Sequence, residues 1–369
     1  MSHLLLALSG HGFGHLAQGA AVVNALRKLR PGVRVTVCGS LARDVVADKL
    51  ERPFDYRRVE LDPVLRMVNA WQIDIPASLQ RYREFHRHWE AGLQQDGSLL
   101  AELAPDLVLA DIPYRILLAA QRASVPAIGL CSLNWAAIYA NYFSSGRTRN
   151  GILAQMRAGY RAAEVFLAPE PALPMPELAN YRPIGPIARA GRNRRHGLRA
   201  MLSLPPAAVV VLVALGGIAT EMPFPNWPRM EDVHWLFTGP VPAQRNDLRD
   251  IRGLKLPFID VLASADAVLT KPGYGTYAEA VCNGIPLLAL ERPDWPETEH
   301  LNSWARRHGR LQTMSRTQFE RGTFAAVLQD LLAQPVPGPI PEPLGNRQAA
   351  GIIMTRLQGD ACHGAPPPA

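Results

Sequence analysis

The sequence predicts an α/β protein of two domains, each a parallel sheet covered by helices on both faces. Three observations carry that prediction. The chain has 369 residues, more than the roughly 250–300 at which a single core stops growing. Short continuous apolar runs alternate with stretches of helical periodicity, the pattern of buried parallel strands joined by crossover helices. The alternation comes as two series, separated by a Pro- and Arg-rich stretch over 173–206 that holds Pro183, Pro186 and the cluster Arg192, Arg194 and Arg195. Each series therefore reads as a Rossmann-like domain.

The first series opens with Leu4-Leu5-Leu6-Ala7-Leu8. This run has no basic segment before it and leads straight into glycines, so it reads as a buried strand over 4–9 and not as a signal peptide. A helix follows over 16–30, a strand over 33–39 and a helix over 41–50. Strands over 107–110 and 127–130 flank a helix over 114–123. The second series has strands over 209–215, 233–237, 267–270 and 286–290, with helical segments over 261–263 and 277–283. Helical periodicity returns over 346–357 after a Pro-rich loop, and this helix is expected to pack back on the first domain. The expected division is 1–185 for the first domain, 186–206 for a linker, 207–345 for the second domain, 346–358 for the returning helix and 359–369 for a disordered tail.

Composition narrows the function. Hydrophobic residues make up 48% and charged residues 19%, which suits globular domains and argues against disorder. No apolar run approaches the roughly 18 residues of a membrane span, so a cytoplasmic protein is expected, with peripheral contact at the inner membrane face left open. Cys38, Cys131, Cys282 and Cys362 are scattered without metal-ligand spacing, so neither a disulfide framework nor a metal site is expected. The net charge is +7 and all but four of the 39 basic residues are Arg, with dense runs over 147–161 and 182–199. Such a balance suits an anionic partner: a nucleotide diphosphate, an acidic acceptor or a lipid-linked one. A nucleic-acid partner is not expected, because no aromatic-basic RNA-binding motif or helix-turn-helix pattern is present.

Three segments can carry chemistry. Ser9-Gly10-His11-Gly12-Phe13-Gly14-His15 lies between the first strand and the first helix. Its glycines let the backbone turn tightly and approach a ligand at a helix N-terminus, with Gly14 against it. The next strand ends Val37-Cys38-Gly39-Ser40 without an acid, so the dinucleotide fingerprint is incomplete and NAD is disfavoured; no cofactor is expected. Asp106 to Asp111 is a buried strand ending in an acid on the same sheet edge, where Asp111 can orient a histidine and stabilise its imidazolium. His15 is the candidate general base and His11 the second choice. The strand over 267–270 runs into Lys271, Gly273, Tyr274, Gly275 and Thr276, whose amides at a helix start can hold a diphosphate. Glu279 can take both hydroxyls of a ribose, although Thr276 and Glu279 also fit a capping box. Arg292, Glu297 and Asn302 follow the next strand and are candidates for the sugar.

At these residues the chain resembles the GT-B nucleotide-sugar glycosyltransferases, a group that includes plant UDP-glycosyltransferases and the bacterial peptidoglycan N-acetylglucosaminyltransferase. It is most similar to the glycosyltransferase-like domain of plant L-arabinokinases, in 9–15, in 106–142 including Asn134-Trp135, and in 265–292. The resemblance implies two Rossmann-like domains facing across a cleft. It implies His15 as base with Asp111 as its partner and Glu279 on the ribose. It places Gly216, Gly217, Thr238 and Gly239 along the diphosphate and Pro257 and Phe258 near the base. The implied chemistry is metal-independent transfer of a sugar from a nucleotide-diphosphate donor, with UDP the expected nucleotide, to a hydroxyl acceptor with inversion. The tryptophan-led donor motif of the plant enzymes is replaced by Leu256-Pro257-Phe258. A nucleotide-sugar epimerase or hydrolase on the same fold, or a non-catalytic nucleotide-sugar binder, are the alternatives. Aromatic and basic segments over 66–90 (Trp71, Tyr82, His86, His88, Trp89) and 134–149 are read either as acceptor-facing loops or as ordinary helix packing.

Overall fold

The computed structural model describes residues 2–143, 146–217 and 220–359. The tail expected to be disordered falls almost wholly outside them. The chain forms two compact units: residues up to 68, 72–187 and from 344 on make the first, and 69–71 with 188–343 the second.

The first unit holds a seven-stranded parallel sheet. Its strands are β1 His3–Leu8, β2 Arg34–Gly39, β3 Asp55–Arg58, β4 Leu107–Asp111, β5 Ala127–Leu130, β6 Val165–Pro169 and β7 Tyr181–Ile184. They lie in the order β3-β2-β1-β4-β5-β6-β7, and every pairing is parallel. Helices on both faces explain the unbroken apolar runs: every residue of β1 and β4 is buried. In register, Leu8 of β1 sits beside Asp111 of β4, so the chain segments leaving these two strands start side by side.

The second unit holds a six-stranded parallel sheet of β8 Val209–Ala214, β9 Val233–Phe237, β10 Leu248–Asp250, β11 Ala267–Thr270, β12 Leu287–Leu290 and β13 Leu311–Met314. The order is β10-β9-β8-β11-β12-β13. Its core stacks Phe224, Trp227, Trp235, Phe319 and Phe324 edge to face, with Ala70 buried in the same cluster and Trp71 packed on it.

The returning helix, Gly345–Gly359, packs on the helix Gly14–Leu29 of the first unit through a stripe of Ala349, Ala350, Ile353 and Leu357. Its first turn is pinned: the Gly345 N–H donates to the Pro186 carbonyl at 3.0 Å, and the Gln348 Oε1 accepts the Gly185 N–H at 2.6 Å. A Cβ at position 345 would lie 2.0 Å from the Gly185 carbonyl oxygen, so only glycine fits there.

Several expectations need correction. Most of the stretch expected as a linker over 186–206, from 188 on, groups with the second unit. It includes the helix Arg195–Met201, where the buried Arg199 donates to the Ala208 carbonyl at 2.9 Å and pairs with Asp266. The helix expected over 277–283 begins a turn earlier, as Tyr274–Cys282, with Gly273 at its N-cap and no side-chain cap. Thr276 and Glu279 therefore lie inside it and form no capping box. The segments over 66–90 and 134–149 are mostly helical, including Ile75–Arg87 and Trp135–Tyr142, and Tyr82, His86 and Trp89 are buried in an aromatic stack with Tyr114. Ordinary helix packing is the reading that holds for those three side chains.

Candidate active site

In a parallel sheet the strand-to-helix connections all leave the carboxyl edge, so side chains distant in sequence gather there. In the first unit that edge collects the segment after β1, Asp62 after β3, Asp111 at the end of β4, and Cys131 with Trp135 after β5. His15 is the second residue of the helix Gly14–Leu29, whose N-cap Phe13 supplies no side-chain cap. Gly12 takes φ +69°, a conformation that glycine adopts without strain, and so turns the loop into that helix.

His15 and Asp111, 96 residues apart, meet there: Nδ1 lies 2.9 Å from Oδ1, and both side chains are buried. Burial pushes the Asp111 carboxyl up from its usual range, while the hydrogen bond to His15, its charge and the Cys131 thiol pull it back down. A carboxylate on Nδ1 holds the proton at that nitrogen and leaves Nε2 to accept one. The Cys131 Sγ lies 3.7 Å from the same Nδ1. His11 takes a different place: its N–H donates to the Ser9 Oγ at 3.3 Å, and its ring meets Trp135 edge-on with centroids 5.2 Å apart. Sequence reasoning missed Asp62 and Cys131 here. Neither belongs to a motif, and only the sheet order brings them to this edge.

The corresponding edge of the second unit follows β8, β9, β11 and β12. Gly216 takes φ +88°, and a Cβ built there or on Gly273 would lie 4.0 Å or 3.7 Å from the Lys271 Nζ. The Lys271 ammonium is thus bracketed by two glycine backbones. Burial, and after it the Arg292 charge, lower its pKa to about 8, with Glu297 opposing both. Lys271 and Arg292 bring two cations, with the Glu297 carboxylate, beside the head of the helix Tyr274–Cys282. The amides of Gly275 and Thr276 lie in its first turn, where a helix offers no carbonyl partner of its own. Arg292 stacks on Trp295 at 4.3 Å, and the Trp295 indole donates to Glu297 at 3.1 Å.

The remaining expected residues are placed less directly. Gly217 follows Gly216 at the surface, and Thr238 and Gly239 follow β9. Pro257 is the N-cap of the helix Phe258–Leu262, in the connection after β10. Glu279 is buried one turn below the helix head and accepts from the Arg189 Nε at 2.6 Å, a partner that sequence reasoning did not identify. Asn302 is buried too, and its Oδ1 accepts the Tyr277 hydroxyl at 2.8 Å, so it braces the helix from within.

No protein-family model matches the chain. Among curated proteins it is 25% identical over 314 residues to L-arabinokinase of Arabidopsis thaliana, covering 82% of this chain and 29% of that one. It is 26% identical over 250 residues to an uncharacterized glycosyltransferase of Methanopyrus kandleri, covering 62% of this chain and 69% of the other. The chain thus spans under a third of the plant protein. Among solved structures it is similar to the calicheamicin glycosyltransferase CalG4, with TM-score 0.63, 18% identity and coverage of 99% and 100%. It is also similar to Arabidopsis thaliana UGT89C1 complexed with UDP, with TM-score 0.59, 15% identity and coverage of 98% of both chains. The fold is GT-B. The chain is thus similar in fold to GT-B glycosyltransferases and in sequence to one uncharacterized glycosyltransferase. No helix among the described residues is long and apolar enough to cross a membrane.

Proposed function

We propose that the protein transfers a sugar from a nucleoside-diphosphate donor, a UDP-sugar, to a hydroxyl acceptor with inversion at the anomeric carbon. The observation that carries the reading is the buried His15–Asp111 pair at the carboxyl edge of the first sheet. The acceptor hydroxyl gives its proton to the His15 Nε2 as its oxygen bonds to the anomeric carbon. The bond from that carbon to the diphosphate oxygen breaks, and its electron pair leaves with the diphosphate. Asp111 stabilises the imidazolium that forms. On the donor side, Lys271, Arg292 and the amides heading the helix Tyr274–Cys282 take up the developing negative charge, so the scheme requires no metal. The ribose hydroxyls would share Glu279 with Arg189. UDP as the nucleotide is supported by the neighbour solved with UDP, and the surplus of arginine suits an anionic or lipid-linked acceptor.

Thermal-shift screening against UDP, TDP, GDP and their sugars identifies the donor, because a ligand held only by the folded state raises its stability, by about 2.7 kcal/mol at a hundredfold excess over Kd. With donor and acceptor in hand, His15→Ala should lower kcat by about 10²–10⁴ while the UDP-induced shift persists. Equal turnover by variant and parent would end the base assignment. Rapid loss of donor without any acceptor would replace transfer by hydrolysis or epimerisation.

A further inference from the structure

We infer that Asp62 is a positioning residue for the two histidines of the first unit, acting through Ser9 and Trp135. The inference rests on the reading of His15 as the base. Asp62 reaches this edge from the segment after β3, two strands from β1, and its side chain is buried. Its Oδ2 accepts the Trp135 indole N–H at 2.8 Å, and the Ser9 hydroxyl donates to the same carboxylate. Ser9 Oγ in turn accepts the His11 amide at 3.3 Å, so the start of the glycine loop hangs from this carboxylate. The Trp135 ring meets His11 edge-on at 5.2 Å and His15 at 5.5 Å, with interplanar angles of 89° and 62°. At its other end Trp135 is fixed by its own N–H, which donates to the Tyr160 hydroxyl at 3.0 Å.

The arrangement supplies what Asp111 alone does not. The Asp111 bond and the Cys131 Sγ both act at Nδ1, and a swing of the ring about that atom would carry Nε2 away from the acceptor. An indole edge against the ring blocks that swing, and the indole holds its place only while its N–H is anchored. Trp135 and Ser9 both donate to Asp62, and an acceptor-only carboxylate offers them two oxygens where an amide offers one. Burial raises the Asp62 carboxyl from its usual range, and the Ser9 and Trp135 hydrogen bonds, then the His15 charge, work against that rise.

The test uses Asp62→Asn and Trp135→Phe in the full chain, read by kinetics and by the ring ¹⁵N resonances of histidine-labelled protein. Each variant should lower kcat by about 10–100-fold, as expected when a reacting group is displaced by a fraction of an ångström, with the donor KM unchanged. The double variant should be no slower than the slower single one, because both break one link. The ring signals of His11 and His15 should move while those of His234 and His308, in the second unit, stay. Unchanged kcat in a folded variant, or unmoved His11 and His15 signals, overturns the inference. Should Asp62→Asn fail to fold, Trp135→Phe, which keeps an aromatic ring but deletes the donor together with the pyrrole half of the indole, decides alone. If His15→Ala leaves transfer intact, the base reading fails, and the ring signals still judge the clamp.

Discussion

Lys271 is an amine whose burial brings its titration to about 8, so its charge changes within the range where activity is measured. Below that pH the amine is charged and offers a diphosphate a cation beside Arg292; above it the attraction fades. UDP affinity should therefore weaken by up to about tenfold per pH unit beyond the lysine pKa. Lys271→Met should bind UDP more weakly and lose that alkaline dependence, which calorimetric titration across pH 6–9 would reveal. A parallel alkaline weakening in variant and parent would move the titrating group elsewhere. His86 behaves differently. Its Nδ1 lies 2.7 Å from the Gln155 Oε1 and its Nε2 2.8 Å from the Tyr114 hydroxyl, a donor and acceptor pairing that suits a neutral ring. Burial lowers its pKa to about 4, while the Gln155 bond raises it. The unfolded chain titrates this histidine near 6.5 and binds its proton first, so stability from this group is complete above that pH and drains away as pH falls to 4. The loss is about 3 kcal/mol. Denaturant unfolding from pH 4 to 7 should show a smaller acid loss for His86→Phe than for the parent, even though the variant is less stable at neutral pH.

At the scale of elements, tight packing sets the sharpest constraints. The helix Arg147–Ala162 crosses Tyr114 at Gly159, where a Cβ would lie 2.3 Å from the Tyr114 carbonyl oxygen. Backbone cannot yield as a side-chain tip does, so Gly159→Ala should cost about 1–3 kcal/mol and lower the melting temperature by several degrees. Gly151→Ala on the same helix meets nothing within 4 Å and should not be destabilising. Equal melting temperatures for the two variants would contradict this contact. The same contrast explains what the sequence could disclose. β1, β4, β8, β11 and β12 were legible because central parallel strands are apolar without a break, and their limits fell within a residue or two of the pattern. β3, Asp55-Tyr56-Arg57-Arg58, is an edge strand with polar, largely exposed residues and carries no such run. The helix Ile75–Arg87 buries Tyr82 and His86, residue types whose burial depends on partners that the local pattern does not contain. His15 and Asp111 were readable as a pair because Asp111 ends β4 and His15 follows the short glycine loop after β1, at the same sheet edge. Asp62 and Cys131 needed the strand order, which sets β3 and β5 near β1 and β4.

For the whole molecule the path of the chain matters more than any one contact. The first unit is not closed when the chain leaves it at Ile187, because the helix Gly345–Gly359 returns to cover the helix that begins Gly14-His15. A protein ending after Pro343 would expose the surface covered by Ile353, Leu357 and two alanines. Burial of an Ile or Leu side chain stabilises by about 1.5–3 kcal/mol, so the deletion should remove about 5 kcal/mol, comparable to the lower range of a domain's whole stability. The second unit keeps all its parts, Ala70 and Trp71 included. The truncated chain should therefore unfold in two denaturant transitions, the first at much lower concentration than in the full chain, and transfer should be lost with it. A UDP-induced thermal shift should survive, because Lys271 and the helix Tyr274–Cys282 lie in the unit left whole. Loss of both transfer and the UDP response would mean that the donor residues depend on the first unit's integrity, and a single unchanged transition would mean that the returning helix contributes little to it.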